Sequence, residues 1–421
     1  MLDASVSPHA AVTCPHFNPL DPTFQQNPYP LFAELRRDTP VFYSPLFDMW
    51  VVTRYADVAQ VMKQTDIFSS VGSLQANVEL PQSVQAVLEK DGLGPAVLMV
   101  ESDAPVHTRM RNVVNKAFTP QRIAQFEPKI RAITDELIDS FVADGQADLI
   151  SQFAIPLPGR VICHLFGIPP EDFGNIKRWS DDFMELLGAT GPEERLVESA
   201  HGFVASQHYF LAQIQERRQH PREDLLTVML PAELGGSAAL SVSEATYNAI
   251  DFVVAGHETT THILGNGLTH LFANPDQLSQ LYAHPELIPN AVEELLRIDT
   301  SVLGLFRITT HDAELSGATI PARARVFVLY SAANHDEAQF PNPDQLDITR
   351  PNAREHLAFA RGIHTCLGAP LARLELRIAF ERLLKRLPNL RPAGDGSRYE
   401  HFFMRGFNAL PIAWDVDGSA A

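Results

Sequence analysis

One cysteine in this chain sits in a run built for chemistry: Gly362-Ile363-His364-Thr365-Cys366-Leu367-Gly368, followed at once by an apolar helical pattern at Leu371, Leu374, Ile378, Leu383, Leu384 and Leu387. A cysteine at a helix start meets unpaired backbone N–H groups and the positive end of the dipole, and both favour thiolate over thiol. Flanking glycines let the backbone turn sharply or approach another group closely. The chemistry implied is a thiolate presented to something flat and near. The plainer alternative is a cysteine packed as a small hydrophobe, the default for a lone one. A second candidate is Ala255-Gly256-His257-Glu258-Thr259-Thr260-Thr261. Its small pair leaves room for a flat ligand, and its acid and alcohol are groups that can carry protons. Three threonines in a row weaken a helix, and each hydroxyl can bond the carbonyl one turn back and bend it. An ordinary helix with a threonine run is the bland reading. His107 and Arg111, four apart, share one helix face. They form a solvated face or, beside carboxylates, an anion site.

The segment Phe359-Ala360-Arg361-Gly362-Ile363-His364-Thr365-Cys366-Leu367-Gly368 resembles the haem-ligand loop of the cytochrome P450 family, usually Phe-Gly-x-Gly-x-His-x-Cys-x-Gly. The departure is Ala360, which adds strain if its position needs φ > 0. Ala255 to Thr260 resembles the family's oxygen-activation motif, Ala-Gly-x-(Asp/Glu)-Thr-Thr. Glu294-Leu-Leu-Arg297 matches its Glu-x-x-Arg pair, which would lock to Arg350 in a structural role. The resemblance implies that Cys366 is the axial ligand of haem iron, a thiolate whose electron density favours O–O cleavage. It implies that Phe359, Gly362, Gly368, Ala255 and Gly256 border the haem, and that His107, Arg111, Arg307 and His364 hold its propionates. Glu258 and Thr259 would deliver protons. Leu303, Leu305, Phe306, Phe402, Phe403, Ala255 and the 69–100 loop would line the substrate pocket. Two further departures stand out. Ala322-Arg323-Ala324 occupies a place where many members have a glycine, and His335 in Ala333-Asn334-His335-Asp336 replaces an arginine, which would weaken a surface salt bridge.

These residues need elements to hold them. A capping-box pattern, Ser241-Val242-Ser243-Glu244, starts a helix that carries the Glu258 motif and ends before Pro275. Roughly 30 residues at 1.5 Å each would cross the whole domain. Helical patterns are also predicted at 28–37, 57–63, 122–144, 159–166, 172–187, 193–218 and 289–298. Strand-like runs lie at 41–43, 49–53, 303–309 and 325–330. Residues 69–94 read as a long irregular connection, a Gly/Ser break falls at 235–237, and Tyr399 to Pro411 takes the place of the family's C-terminal hairpin. The resemblance implies a cytochrome P450 fold, mainly α with small β-sheets. It would be a single haem-enclosing domain over 21–421 after an extended tail at 1–20.

Composition narrows the function classes. The 421 residues carry 45% apolar and 20% charged side chains, enough to bury a large core. A net charge of −18 argues against nucleic acid as a partner. Cys14, Cys163 and Cys366 are too sparse for a disulfide framework or zinc site, so a reducing, cytoplasmic setting is expected. Neither a signal peptide nor an 18-residue apolar run is visible, so no membrane span is expected. The resemblance implies haem b, O2, a lipophilic small-molecule substrate, and electrons from a ferredoxin fed by a ferredoxin reductase using NAD(P)H. The chain has no flavin or iron–sulfur motif of its own. The expected reaction is insertion of one oxygen atom into a C–H bond, as hydroxylation or O-dealkylation. A hydrogen-peroxide-dependent peroxygenase and a non-catalytic haem-thiolate sensor are the alternatives. Residues 350–391 hold nine Lys/Arg and three Asp/Glu, which suggests a basic docking face around Arg361 and Arg373.

Overall fold

The computed structural model describes residues 12–74, 79–230 and 240–416. Its organising element is the helix Val242–Ala273, whose Ser241 and Glu244 form the expected capping box. Buried residues lie on every side of this helix, which marks a core position rather than a surface one. Against it pack Pro156–Phe166, Glu193–Gln219, Ile288–Ile298 and Ala369–Arg386, with Pro120–Asp139 and Phe173–Gly188 in the next layer. The threonine run does not interrupt it. Thr259 Oγ1 donates to the Ala255 carbonyl at 2.8 Å and Thr260 Oγ1 to that of Gly256 at 3.4 Å, so the hydroxyls are satisfied within the helix.

Small sheets flank the helices. The largest has the order Val41–Ser44, Met49–Val52, Arg325–Val328, Leu305–Thr309, Phe68–Ser69. Arg325–Val328 runs parallel to Met49–Val52 and antiparallel to Leu305–Thr309. The C-terminal hairpin pairs Ser397–Glu400 with Arg405–Ala409 and packs on the long helix.

Three expectations change. The described part of the tail is not loose: the backbones of Val12 and Cys14 bond Tyr43, and Phe17 is wholly buried between Phe24 and Phe42. Residues 1–11 lie outside the described residues, as do 75–78 and 231–239, including the Gly/Ser break. The 69–94 connection contains a helix, Gln82–Asp91. Val84, Val87 and Leu88 face one way at helical spacing and pack on Leu196 and Ala200, a pattern that the surrounding polar residues obscured. Finally, His335 is not at the surface. It is buried, stacked 4.2 Å from the Tyr29 ring, with Asp344 Oδ1 2.7 Å from Nδ1 and the Ile298 carbonyl 2.9 Å from Nε2.

Candidate active site

The loop before the helix Ala369–Arg386 is drawn tight by backbone bonds. Cys366 N–H donates to the Phe359 carbonyl at 2.9 Å, and Ala360 N–H to that of Leu357 at 2.9 Å. Gly362 has φ +76°, and a Cβ there would come 2.6 Å from the Met62 carbonyl oxygen, so only glycine fits. Ala360 does occupy the left-handed region, at φ +52°. Gly368 has ordinary φ, −80°, and a Cβ there would meet only Cys366 Sγ, at 3.9 Å. The accessible surface of Cys366 opens on to an internal cavity, which is why the residue counts as exposed although it lies deep in the protein. Burial raises the thiol's pKa. Hydrogen bonding from Gly368 and Ala369 and the charges of Arg111 and Arg373 oppose this without overcoming it. The helix start alone therefore does not make the thiolate; a cation at the sulfur would.

Beside the sulfur lies a knot of positive charge and rings. His107 and His364 have ring centroids 4.2 Å apart, and Ser70 Oγ lies 3.0 Å from His364 Nε2. Burial, with Arg307, His107 and Arg111 close by, pushes His364 down to about 3. Among the described residues the Arg111 side chain bonds only Asn115, at 2.9 Å, and that of Arg307 only the Phe306 carbonyl, at 2.6 Å. His107 Nε2 is buried with no hydrogen-bond partner among the described residues. None of these four groups has an ion-pair partner among the described residues. A buried site of this kind is completed by an anionic group. The cavity, partly open to solvent, runs from His107, Arg111 and His364 past Cys366 and Gly368 to Ala255, Gly256 and Thr259 on the long helix. The donor set, the thiol and the small-residue wall fit a haem with carboxylates at one edge.

Glu258 and Thr259 do not share this cavity. Successive helical residues point about 100° apart, so Thr259 faces Cys366's cavity and Glu258 a separate polar one on the other side of the helix. There Glu258 Oε1 lies 3.1 Å from Lys177 Nζ and 2.9 Å from His257 Nε2, and Oε2 lies 3.9 Å from His262 Nε2. The approach of His257 is close but poorly aligned, and it leaves His257 Nε2 and Glu258 Oε1 without a proper hydrogen bond. Burial alone would raise the carboxyl's pKa; beside His257, Lys177 and His262 it is held well below the usual range. Nothing in the sequence pointed to Lys177, which comes from the helix Phe173–Gly188. Asp251 was missed as well, although helical spacing could have found it: it lies one turn before Ala255, on the face that lines the Cys366 cavity.

The pocket residues expected on the sheet and hairpin do not line the cavity beside Cys366. Leu303, Phe306, Phe402 and Phe403 are buried in the core, with Phe306 stacked on Phe327 at 4.8 Å and Phe402 edge-on to Phe47 at 4.9 Å. Strand alternation is the reason: with Arg307 turned towards His364, its neighbour Phe306 must face the opposite side. Leu305, half-buried, also lies off that wall. Met99, Val100, Phe118, Ile162 and Phe252 form it instead. Of the described residues of the 69–100 loop, only Met99 and Val100 reach it.

The basic face is largely neutralised. Glu293 takes Arg373 at 2.8 and 2.9 Å, Glu127 and Glu381 take Arg377, Asp135 takes Arg382, Asp139 takes Arg386 and Asp415 takes Arg391. Arg373 also lies 4.6 Å over the Phe359 ring, so it braces the loop. Arg361 has no carboxylate partner among the described residues. It donates to the Glu355 carbonyl at 2.9 Å and lies over Tyr55. Away from the cavity, Glu294 binds Arg297 at 2.7 and 2.8 Å and Arg350 at 3.0 Å through each oxygen, all three residues buried.

Comparison with known proteins decides the family. A family model described as Cytochrome P450 matches residues 183–284 and 283–395. This chain belongs to the cytochrome P450 family. It is 37% identical to cytochrome P450 107B1 of Saccharopolyspora erythraea over 400 residues, 93% of this chain and 96% of that one. It is 36% identical to the vitamin D(3) 25-hydroxylase of Pseudonocardia autotrophica over 397 residues, 93% and 94% of the two chains. Its fold matches the solved structure of cytochrome P450 CREJ in complex with (4-ethylphenyl) dihydrogen phosphate, with a TM-score of 0.91 and 30% identity over 95% of this chain and 100% of that one. The protein is thus a bacterial-type P450 and a haem-thiolate monooxygenase. No helix among the described residues is long and apolar enough to cross a membrane.

Proposed function

We propose that this P450 inserts one oxygen atom of O2 into a C–H bond of a lipophilic small molecule, using haem b and electrons from a ferredoxin and its NAD(P)H-fed reductase in the cytoplasm. One observation carries the reading: Cys366, Thr259 and the partnerless His107 open on to one cavity. Haem b, bound there, supplies the redox chemistry of oxygen activation. Cys366 Sγ would hold its iron, and His107, Arg111, Arg307 and His364 would take its propionates. Phe359, Gly362 and Gly368 shape the loop that carries Cys366, and Ala255 and Gly256 keep the helix wall of the cavity low. Glu294, Arg297 and Arg350 hold the fold behind it.

Thr259 already donates its proton to the Ala255 carbonyl, so its oxygen is left as an acceptor. It can order a water in the cavity and pass a proton on when its own bond breaks. Glu258 meets the polar cavity that Lys177, Asp181, Glu185 and Glu400 also line. Held as a carboxylate beside Lys177, it can take a proton from that side and must leave Lys177 to deliver it across the helix. This division of labour favours oxygen activation through proton delivery over peroxide-driven oxidation. For the electron donor, Arg361 rather than Arg373 is the charge left to meet an acidic ferredoxin.

The reduced carbon-monoxide complex of the purified protein tests the reading. It should show the red-shifted Soret band of thiolate ligation, and Cys366→Ala should lose it. Retention of the band in the variant would overturn the assignment. NADPH-driven turnover with added redox proteins should exceed turnover with peroxide alone; the reverse result would favour a peroxygenase.

A further inference from the structure

We infer that Asp251, with Glu101 behind it, selects substrates whose lipophilic body carries a protonated amine. The inference rests on the proposed function and names the substrate class of the same site. Asp251 stands on the long helix, one turn before Ala255 and two before Thr259, on the face that lines the Cys366 cavity. The neighbouring wall is apolar: Met99, Val100, Phe252 and Ile162. In that setting the carboxyl has neither a hydrogen bond nor an ion pair with any described residue. What accessible surface it keeps opens on to the cavity.

The nearest charge makes matters worse. Glu101, on the segment that crosses the cavity next to Met99 and Val100, repels the Asp251 carboxylate. Burial first, and then Glu101, push Asp251 up to about 7. Glu101 itself accepts one hydrogen bond, from the Leu74 N–H at 2.8 Å, and is raised by burial as well. The cavity does hold a cation, Arg111, with Arg307 close by at His364, but neither appreciably offsets the field at Asp251. The cavity is therefore bipolar, with a cationic edge fitted to haem carboxylates and an acidic spot among hydrocarbon side chains. A carboxylate in such a place is stabilised only by a proton or by a cation brought from outside. An ammonium group on a bound substrate would satisfy Asp251 directly and relieve Glu101 at longer range. It would also orient the rest of the molecule, since an apolar wall by itself fixes no direction.

The test uses the haem-loaded full chain and two ligands of one shape: 4-phenylbutyl-trimethylammonium, whose quaternary nitrogen cannot ligate iron, and its carbon isostere with a tert-butyl group. Binding is measured by calorimetry and, independently, by the Soret shift. The cation should bind at least about tenfold more tightly than the isostere, a difference of about 1.4 kcal/mol. Asp251→Asn should abolish the preference, and Glu101→Gln should reduce it. Equal binding of the two ligands by the parent protein, or an undiminished preference in Asp251→Asn, would overturn the inference. The carbon-monoxide band separates the two failures. Its presence in the parent without a cation preference sinks only the amine reading, whereas its absence sinks the proposed function beneath it. The same band in Asp251→Asn shows that the variant has folded around its haem.

Discussion

Two buried polar regions of this molecule look alike in composition and differ in how they are finished. Around Glu294 the carboxylate and both arginines are fully engaged. Arg297 donates to both carboxylate oxygens and to the carbonyls of Asn334 and Pro343, each at 2.8 Å, and Arg350 reaches the carbonyls of Pro341, Asn342 and Gln345. Around the middle of the long helix the opposite holds. His257 Nε2, Glu258 Oε1 and both nitrogens of His262 are buried without hydrogen-bond partners, and Asp251 faces hydrocarbon. A completed network contributes shape and resists change. An incomplete one is tolerable where water, a proton or a ligand finishes it. The first region should therefore answer mutation with lost stability, and the second with lost activity or altered pH response.

The largest effect should come from the completed region. Arg297→Ala strips Glu294 of two bonds and leaves two carbonyls unpaired, which should lower the unfolding free energy by about 3–5 kcal/mol. Urea denaturation of the haem-loaded protein measures it. A loss under 1 kcal/mol would erase the distinction between the two regions.

Acid should act on the incomplete region. Burial pushes His262 and His401 down to about 4 each, so each takes up a proton less readily folded than unfolded. Their stabilising contribution is full above the ordinary histidine pKa of about 6.5 and is lost as the pH falls towards 4. Between pH 7.5 and 5 the loss should be roughly 2 kcal/mol for each histidine. The slope of stability against pH should flatten in a His262→Gln, His401→Gln double variant. An unchanged slope would mean that these rings take up protons alike in the folded and unfolded protein.

Activity should respond next. Glu258→Gln keeps the side chain's size and removes the charge that Lys177 and the histidines hold. Turnover should fall by about 10²-fold, the low end of what a positioned proton carrier contributes, with little change in substrate affinity. Thr259→Ala should instead keep NADPH consumption and divert it to peroxide. Full coupling in Thr259→Ala would show that water alone orders the cavity.

The sequence disclosed this contrast unevenly. Cys366, His107, Glu258, Thr259 and Glu294 were legible because short-range spacing carries their chemistry, and the capping box at Ser241 gave the long helix its start. Pairings that join distant segments were not legible: Lys177 with Glu258, or Glu293 with Arg373. The basic stretch 350–391 misled for the same reason. Counting charges along a chain omits the acids that other elements bring, here Glu127, Asp135, Asp139, Glu293 and Asp415. The family's positions place Phe306, Phe402 and Phe403 at the pocket, whereas here they lie in the core, off the wall of the Cys366 cavity. Which side of a strand or turn faces the cavity is fixed by register, and register is set by partners far along the chain.

Backbone strain offers the smallest effect and a sharper form of the comparison. Ala360, in the ligand loop, has φ +52°, and Arg323, in a surface turn, has φ +64°. A side chain with a Cβ in that region costs roughly 1–2 kcal/mol relative to its ordinary conformation. Glycine removes this cost but gives back about 0.4–1 kcal/mol through the freer unfolded chain. Ala360→Gly and Arg323→Gly should each therefore raise stability by somewhat under about 1 kcal/mol, read as a shift in the urea midpoint at constant m-value. Gly362→Ala should do the reverse and more strongly, since its Cβ would lie 2.6 Å from the Met62 oxygen. Similar gains at 360 and 323 would show that strain is scattered through this fold without regard to chemistry, so that the partnerless polar groups, and not the strained ones, mark where the protein acts. A gain at Arg323 with none at Ala360 would mean that the ligand loop is held by its surroundings in a conformation that alanine suits, and strain would then have to be counted among the features of the site.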